Sequence, residues 1–278
     1  MNTPSSTSSF ESPWHGLAGR SVWLHTLCLV VGCLALLEWL WRLAALKPSC
    51  NDSLGLWTSE FAFARAHPDA VLLMGDSRVQ MGIDPRAVSA AFPSRAVCQL
   101  AVPSTSPLLL LKHFARETDF RGEVLCGVNP LFIFEQSRQL ELPIGRRIQQ
   151  AQTESWIARW EHPLRAWLQA RVVLLRSDLS ISSVFKTLRK GRNGLSMYLR
   201  IREDRHGEAD FAHDPSLKER LRGAQEQAET FGQPADPAQM DRILDELQTD
   251  VTAIQQRGGR VTFIAMPSSG VVRIAEQQ

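Results

Sequence analysis

Neither sign of charge dominates this chain. Across 278 residues, 31 Lys and Arg face 29 Asp and Glu, a formal net charge of +2. That balance gives no broad basic surface of the kind that holds nucleic acid. The basic residues are mostly scattered arginines, the pattern of a solvated surface or of ion pairs. Cysteine is scarce as well: the five are Cys28, Cys33, Cys50, Cys98 and Cys126. They form no CxxC pair and stand beside no histidine at zinc-ligand spacing, so no metal or other cofactor is indicated. A disulfide framework is not expected either. Cys28 and Cys33 fall in an apolar segment and read as small apolar side chains.

What the chain does have is one long apolar run. Residues 1–20 are rich in Ser, Thr, Pro and Gly and read as a disordered tail. From Val22 to Leu37 only His25 is clearly polar, and the apolar character continues past Glu38 to Leu46. About 20 residues at ~1.5 Å each cross a ~30 Å hydrocarbon core. Trp23 near one end, and Trp39 and Trp41 near the other, suit the two interfaces, with Arg42 and Lys47 snorkelling outward. Residues 21–46 are therefore expected to be a transmembrane signal anchor in the lipid bilayer. Arg20 precedes the segment and Arg42 and Lys47 follow it, so charge does not decide its orientation.

The rest, residues 54–278, reads as α/β. Leu56–Ala66 is a helix. Ala70–Met74 is a short aliphatic run ending at Gly75, the form of a buried parallel strand. Asp84 and Pro85 open a helix as N-cap and first residue. Ala96–Leu100 is a second strand, a strongly apolar helix runs from Ser106 and Pro107 to Glu117, and Glu123–Val128 is a third strand. This βαβαβ order implies a parallel sheet covered on both faces. Residues 134–235 lose the rhythm and read as a helical insertion. Within it, Trp156, Trp160, Leu164, Trp167 and Leu168 recur at helical spacing, a stripe expected to pack inside. Arg200–Gln233 is highly charged and expected to be solvated or mobile. The pattern then returns: Asp236 caps a helix carrying Met240, Ile243, Leu244, Leu247, Val251 and Ile254 on one face. Gly258 and Gly259 stop it, and Arg260–Met266 is a fourth strand. The sheet looks incomplete on its C-terminal side.

In open α/β sheets the chemistry sits at the C-terminal ends of the strands. The first strand ends in Gly75-Asp76-Ser77. Glycine permits a sharp backbone turn. The serine then sits at the mouth of the sheet, where backbone N–H groups can stabilise an oxyanion. On its own, such a tripeptide is equally a turn in which the serine caps a helix. The third strand ends in Gly127-Val128-Asn129-Pro130, which brings an amide donor to the same mouth.

Together these two blocks resemble the SGNH (GDSL-like) hydrolase superfamily, which places Gly-Asp-Ser after its first strand and Gly-x-Asn after its third. GDSRVQMGIDP and LAVPSTSP look most like membrane-anchored SGNH-like proteins of bacterial surface polysaccharide modification. The resemblance implies a three-layer flavodoxin-like fold and Ser77 as nucleophile. It also implies an oxyanion hole from the Ser77 N–H and the Asn129 amide, with Gly75, Asp76 and Gly127 as supporting residues. A family glycine after the second strand is replaced here by Leu100-Ala101-Val102-Pro103, so a backbone N–H of Ala101 or Val102 would stand in. Pro130 replaces the usual Asp. The resemblance further implies a strand order 2-1-3, with Cys98 and Cys126 on either side of the first strand, about 10 Å apart and unbonded.

The family's Asp-x-x-His block follows its last strand, and no such block follows Met266. The literal Asp210-Phe211-Ala212-His213 comes before the fourth strand, in the wrong chain order, and reads as a solvated loop. His113 reads as a satisfied or exposed side chain; His67, His162 and His206 carry no spacing signal. The function implied is ester hydrolysis or O-acyl transfer on a cell-envelope glycan, in a single-pass inner-membrane protein with its main domain on the periplasmic side. The alternatives are a catalytically incomplete SGNH-like domain that binds polysaccharide or a membrane acyltransferase partner, and a structural α/β protein in which Ser77 only caps a helix.

Overall fold

The computed structural model describes residues 18–133, 138–180, 182–183, 185, 189, 198–214, 216–231, 236–268 and 273. Of the expected tail over residues 1–20, residues 1–17 lie outside these described residues and residues 18–20 are instead the start of a helix; the expected unfinished end of the sheet over 269–272 and 274–278 also lies outside them. Two units are present, Met1–Lys47 and Pro48–Gln278.

Among the described residues the first unit is a single helix, α1 (Ala18–Leu43), whose stretch Ser21–Leu43 is long and apolar enough to cross a membrane. Two pairs of its polar side chains meet within the helix, one turn apart. His25 Nδ1 lies 2.6 Å from the Ser21 carbonyl one turn back, and Arg42 pairs with Glu38 at 2.7 Å. Local pairing of this kind lowers the cost of polar groups in hydrocarbon.

The second unit is α/β. It opens with α2 (Leu54–Ala66), capped by Ser53, whose hydroxyl accepts from the Leu56 N–H. Then follow β1 (Val71–Met74), α3 (Ser77–Gly82), α4 (Pro85–Ala91), β2 (Val97–Gln99), α5 (Leu108–Arg116), β3 (Glu123–Val128) and α6 (Pro130–Ile133). The insertion holds α7 (Arg138–Thr153), α8 (Trp156–Gln169), β4 (Leu199–Ile201), β5 (Gly207–Ala209) and α9 (Leu217–Phe231). Last come α10 (Pro237–Gln256) and β6 (Arg260–Ala265). Asp84 and Asp236 cap α4 and α10 as expected, each with proline in the first turn.

Four parallel strands form one sheet in the order β2-β1-β3-β6. Every residue of β1 is buried, and alternation sends its side chains both ways. Leu72 and Met74 join Trp57, Phe61, Leu111, Phe114 and Ile254 in a core shared with α2, α5 and α10. Val71 and Leu73 face Val79 of α3, with Val88 of α4 packed alongside. The unit is therefore three layers, helix–sheet–helix. Cys98 and Cys126 lie on the strands that flank β1, and both are free thiols. At the far edge β6 is only partly covered, with Phe263 41% exposed.

Three expectations fail in the insertion. It is not purely helical, because β4 and β5 make an antiparallel hairpin. The charged segment after Arg200 is not simply solvated: Arg202, Arg205, His206 and Asp214 are all buried. And the Trp156–Leu168 stripe does not pack inside; Trp156, Trp160, Leu164, Trp167 and Leu168 are all exposed on α8. His113 differs too. It is buried against Phe61 and Phe114 in the α2–α5 core, and its Nε2 has no partner among the described residues.

The hairpin is fastened by Arg205, fully buried and in the left-handed region with φ of 60°. Its guanidinium donates to Asp52 Oδ1 (2.7 Å), to the Gln99 carbonyl and to the Ala101 carbonyl (3.1 Å). Gln80 of α3 donates to the same Asp52 carboxylate at 2.8 Å. Burying a guanidinium costs several kcal/mol, and only a full set of partners offsets it. Here the planar fork meets one carboxylate and two carbonyls that β2 leaves unpaired at its end. Next to this cluster, burial pushes the Glu60 carboxyl up from an ordinary 4.5 to about 7, against the opposing pull of Arg205.

Arg205→Ala is expected to destabilise the second unit by about 3–5 kcal/mol, since it strands Asp52 and two carbonyls, seen as a lower urea midpoint. The Glu60 carboxyl is raised on folding, so its contribution is fully present below about pH 4.5 and is lost as pH rises to about 7. Comparing wild type with Glu60→Gln in denaturation series across that window should show a fall in wild-type stability that the variant lacks. Parallel pH profiles would contradict the assignment.

Candidate active site

Three strand ends meet where β1 runs into α3. Gly75 follows the last residue of β1 with φ of 152°, a value that side-chain-bearing residues rarely adopt. Its carbonyl accepts from the Val102 N–H at 3.0 Å, which ties the end of β2 to the turn. Asp76 then caps α3, with Oδ1 accepting from the Arg78 N–H at 2.9 Å. Its second oxygen, Oδ2, accepts from Asn129 Nδ2 at 2.9 Å, across from the end of β3. Asp76 and Asn129 are 6% and 4% exposed, so this bond is shielded from water. The Asn129 carbonyl in turn receives the N–H groups of Phe132 and Ile133, at 2.9 and 3.0 Å, and so starts α6.

The two glycines of the sequence blocks share one purpose. A Cβ on Gly75 would come within 2.4 Å of Val79 Cγ2, and a Cβ on Gly127 within 2.0 Å of the same methyl. Val79 is therefore wedged between the ends of β1 and β3, and α3 lies directly on the sheet. Nothing in the sequence blocks marks Val79. The signal was its position, two residues after Ser77, on the face of a short helix that must meet the sheet.

Ser77 is the first residue of α3 and is half-buried. Among the described residues, no side chain hydrogen-bonds its hydroxyl. The structure brings Gly75, Asp76, Ser77, Gly127 and Asn129 together at one mouth, but it engages the expected donors elsewhere. Asn129 Nδ2 is given to Asp76, and the Ala101 N–H is given to Gln99 Oε1 at 3.2 Å. Ala101 is itself fully buried. An acyl oxygen reaching the Ala101 N–H has to displace Gln99, whereas Asn129 Nδ2 carries a second N–H besides the one given to Asp76.

The histidines are dispersed. His67 lies 2.9 Å from the Phe63 carbonyl, His162 bonds Glu154 at 2.8 Å, and His113 is in the core beyond the sheet. Asp210–His213 is a short 3-10 turn and linker after β5. His206 is buried beside Arg205 on the hairpin, with Nδ1 unpartnered among the described residues. That hairpin touches the serine helix through Gly207, where an added Cβ would meet Met81 Cγ at 3.1 Å. A competing thiol nucleophile is not offered: burial pushes Cys50 up to about 11, Cys126 up to about 12 and Cys98 higher still. No cluster of three metal-ligating side chains occurs among the described residues.

No family model matches this chain, and neither do curated proteins or solved structures.

Gly127→Ala is expected to cost about 1–3 kcal/mol through overpacking against Val79. Shortening the wedge in the double variant Gly127→Ala/Val79→Ala should recover part of that loss. Urea titration of wild type, both single variants and the double variant closes the cycle. A coupling energy indistinguishable from zero would show that Val79 does not fill this space.

Proposed function

We propose that this chain is a membrane-anchored SGNH-type esterase or O-acyltransferase acting on a cell-envelope glycan, with Ser77 as nucleophile. The observation that carries the reading is the buried Asp76–Asn129 hydrogen bond. It sets the Gly-Asp-Ser block and the Gly-x-Asn block against each other across β1 and β3, where the strand order reverses and open α/β sheets bind ligands. In this reading Ser77 Oγ attacks the acyl carbonyl and the glycan oxygen departs with a proton. The acyl group then passes from Ser77 to water or to a second hydroxyl. The Ser77 N–H and the Asn129 amide receive the transient negative charge. A serine needs a base to lose its proton at neutral pH, and that group is not among the described neighbours of Ser77. The apolar helix α1 would hold the domain at the inner membrane, on the periplasmic side.

A second reading is supported by the same mouth. The Asn129 amide is given to Asp76 and the Ala101 N–H to Gln99, as befits a domain that keeps the fold for binding a glycan or a membrane acyltransferase. Labelling of the full-length protein with a fluorophosphonate probe separates the two. The enzyme reading expects labelling that disappears in Ser77→Ala and slows by about 10²–10³ in Asn129→Ala. Folded protein with no Ser77-dependent labelling would leave the binding reading in its place.

A further inference from the structure

The helix α8 has two packed-looking sides, and only one is used. At ~100° per residue, Ala158, His162, Ala166 and Gln169 share a face, and three of them make its contacts with the fold. Cys50 Sγ donates to the Ala166 carbonyl (3.3 Å), and Gln169 Oε1 accepts from the Asn51 N–H (3.0 Å). His162 lies so close over Gly55 of α2 that an added Cβ there would fall 2.2 Å from its ring. The opposite third of the helix, roughly 120° of arc, carries Trp156, Ile157, Trp160, Leu164, Trp167 and Leu168. Trp156 is 72% exposed and Trp160 75%, values an indole does not reach in a packed fold. Arg159 borders this arc on one side and Arg165, paired at 2.8 Å with the exposed Glu161, on the other, and the Arg171 guanidinium sits 4.2 Å over the Trp167 ring.

We propose that this face of α8 is a membrane-interface surface that lies in the headgroup region of the bilayer. Tryptophan ringed by arginine is the chemistry of that layer: the indole takes an apolar body and a polar N–H to the boundary, and the guanidinium meets lipid phosphate. The covalent chain supplies the second argument. Seven Cα–Cα steps lead from Leu43, the end of the apolar stretch of α1, to Cys50, which is bonded to α8. Fully extended, they span at most about 25 Å. The face that points away from the fold therefore belongs to an element that chain length alone holds near the end of an apolar span. A protein groove could also take an amphipathic helix, but a short tether to an apolar span brings a bilayer, and not a partner protein, within reach of this face. The inference rests on α1 crossing a membrane; it does not rest on Ser77 or its chemistry.

The test uses full-length protein in lipid-only discs of phosphatidylethanolamine and phosphatidylglycerol, with and without dibrominated acyl chains. Three of the eight tryptophans are on this face. The spectrum of wild type minus that of Trp156→Phe/Trp160→Phe/Trp167→Phe isolates their emission, once matching circular dichroism shows that the variant folds. The difference emission should fall by roughly half or more in brominated discs and lie to the blue of exposed indole. The emission left in the variant comes from Trp14, the core Trp57 and Trp23, Trp39 and Trp41 of α1, so that its bromine-dependent part reports on α1. A quenched remainder with an unquenched, red-shifted difference overturns the role of α8 alone, whether the face is then bare or kept for a protein. An unquenched remainder and an unquenched difference overturn the anchor as well.

Discussion

The buried carboxylate of Asp76 is the point on which the architecture of the mouth turns. One oxygen starts the helix that carries Ser77, and the other holds the Asn129 amide at the end of β3. A neutral asparagine of the same size could do one of these tasks but not both, because its NH2 end would meet the other donor and leave it unmatched. Because the two partners belong to different strands, the position of Ser77 is set by the sheet and not by its own loop. The wedge of Val79 between Gly75 and Gly127 adds a steric restraint at right angles to that electrostatic one. Together they leave the serine helix little freedom to slide or tilt.

Those glycines acquire a physical meaning that motif matching does not supply. In a strand–turn–helix unit the first turn of the helix can approach the sheet only as closely as the largest side chain at the strand ends allows. Removing Cβ at two such ends lets a β-branched residue occupy the gap. That is a packing solution first, and it serves any chemistry or binding that needs Ser77 at the mouth.

The sheet was legible in the sequence for clear reasons. β1 and β3 are short, aliphatic and bounded by glycine, and Asp84-Pro85 and Asp236-Pro237 announce helix starts through local hydrogen bonding that needs no tertiary context. The order β2-β1-β3 followed from the resemblance alone. The insertion was not legible because its determinants are long-range. Arg205 looks like any arginine in a charged run; only Asp52 and the end of β2, brought up from far along the chain, make it a core residue. The Trp156–Leu168 stripe failed for the opposite reason. Helical spacing shows that residues share a face, but not which face the fold chooses, and α8 packs through Ala166, His162 and Gln169 instead. At the mouth, sequence placed Ser77, Asp76 and Asn129 together, yet it could not show that Asp76 and Gln99 already hold the amides of Asn129 and Ala101.

The Arg205 cluster also sets an order of events in time. Asp52 and the Gln99 carbonyl lie 153 and 106 residues before the guanidinium that satisfies them. At roughly 5–20 residues per second of synthesis, several seconds pass between the emergence of β2 and that of its partner. For that interval the end of β2 has its carbonyls and the Asp52 carboxylate without the guanidinium that satisfies them. A hairpin that can close only after β1, β2 and β3 have emerged thus acts as a late fastening on the first three strands, against the serine helix it touches.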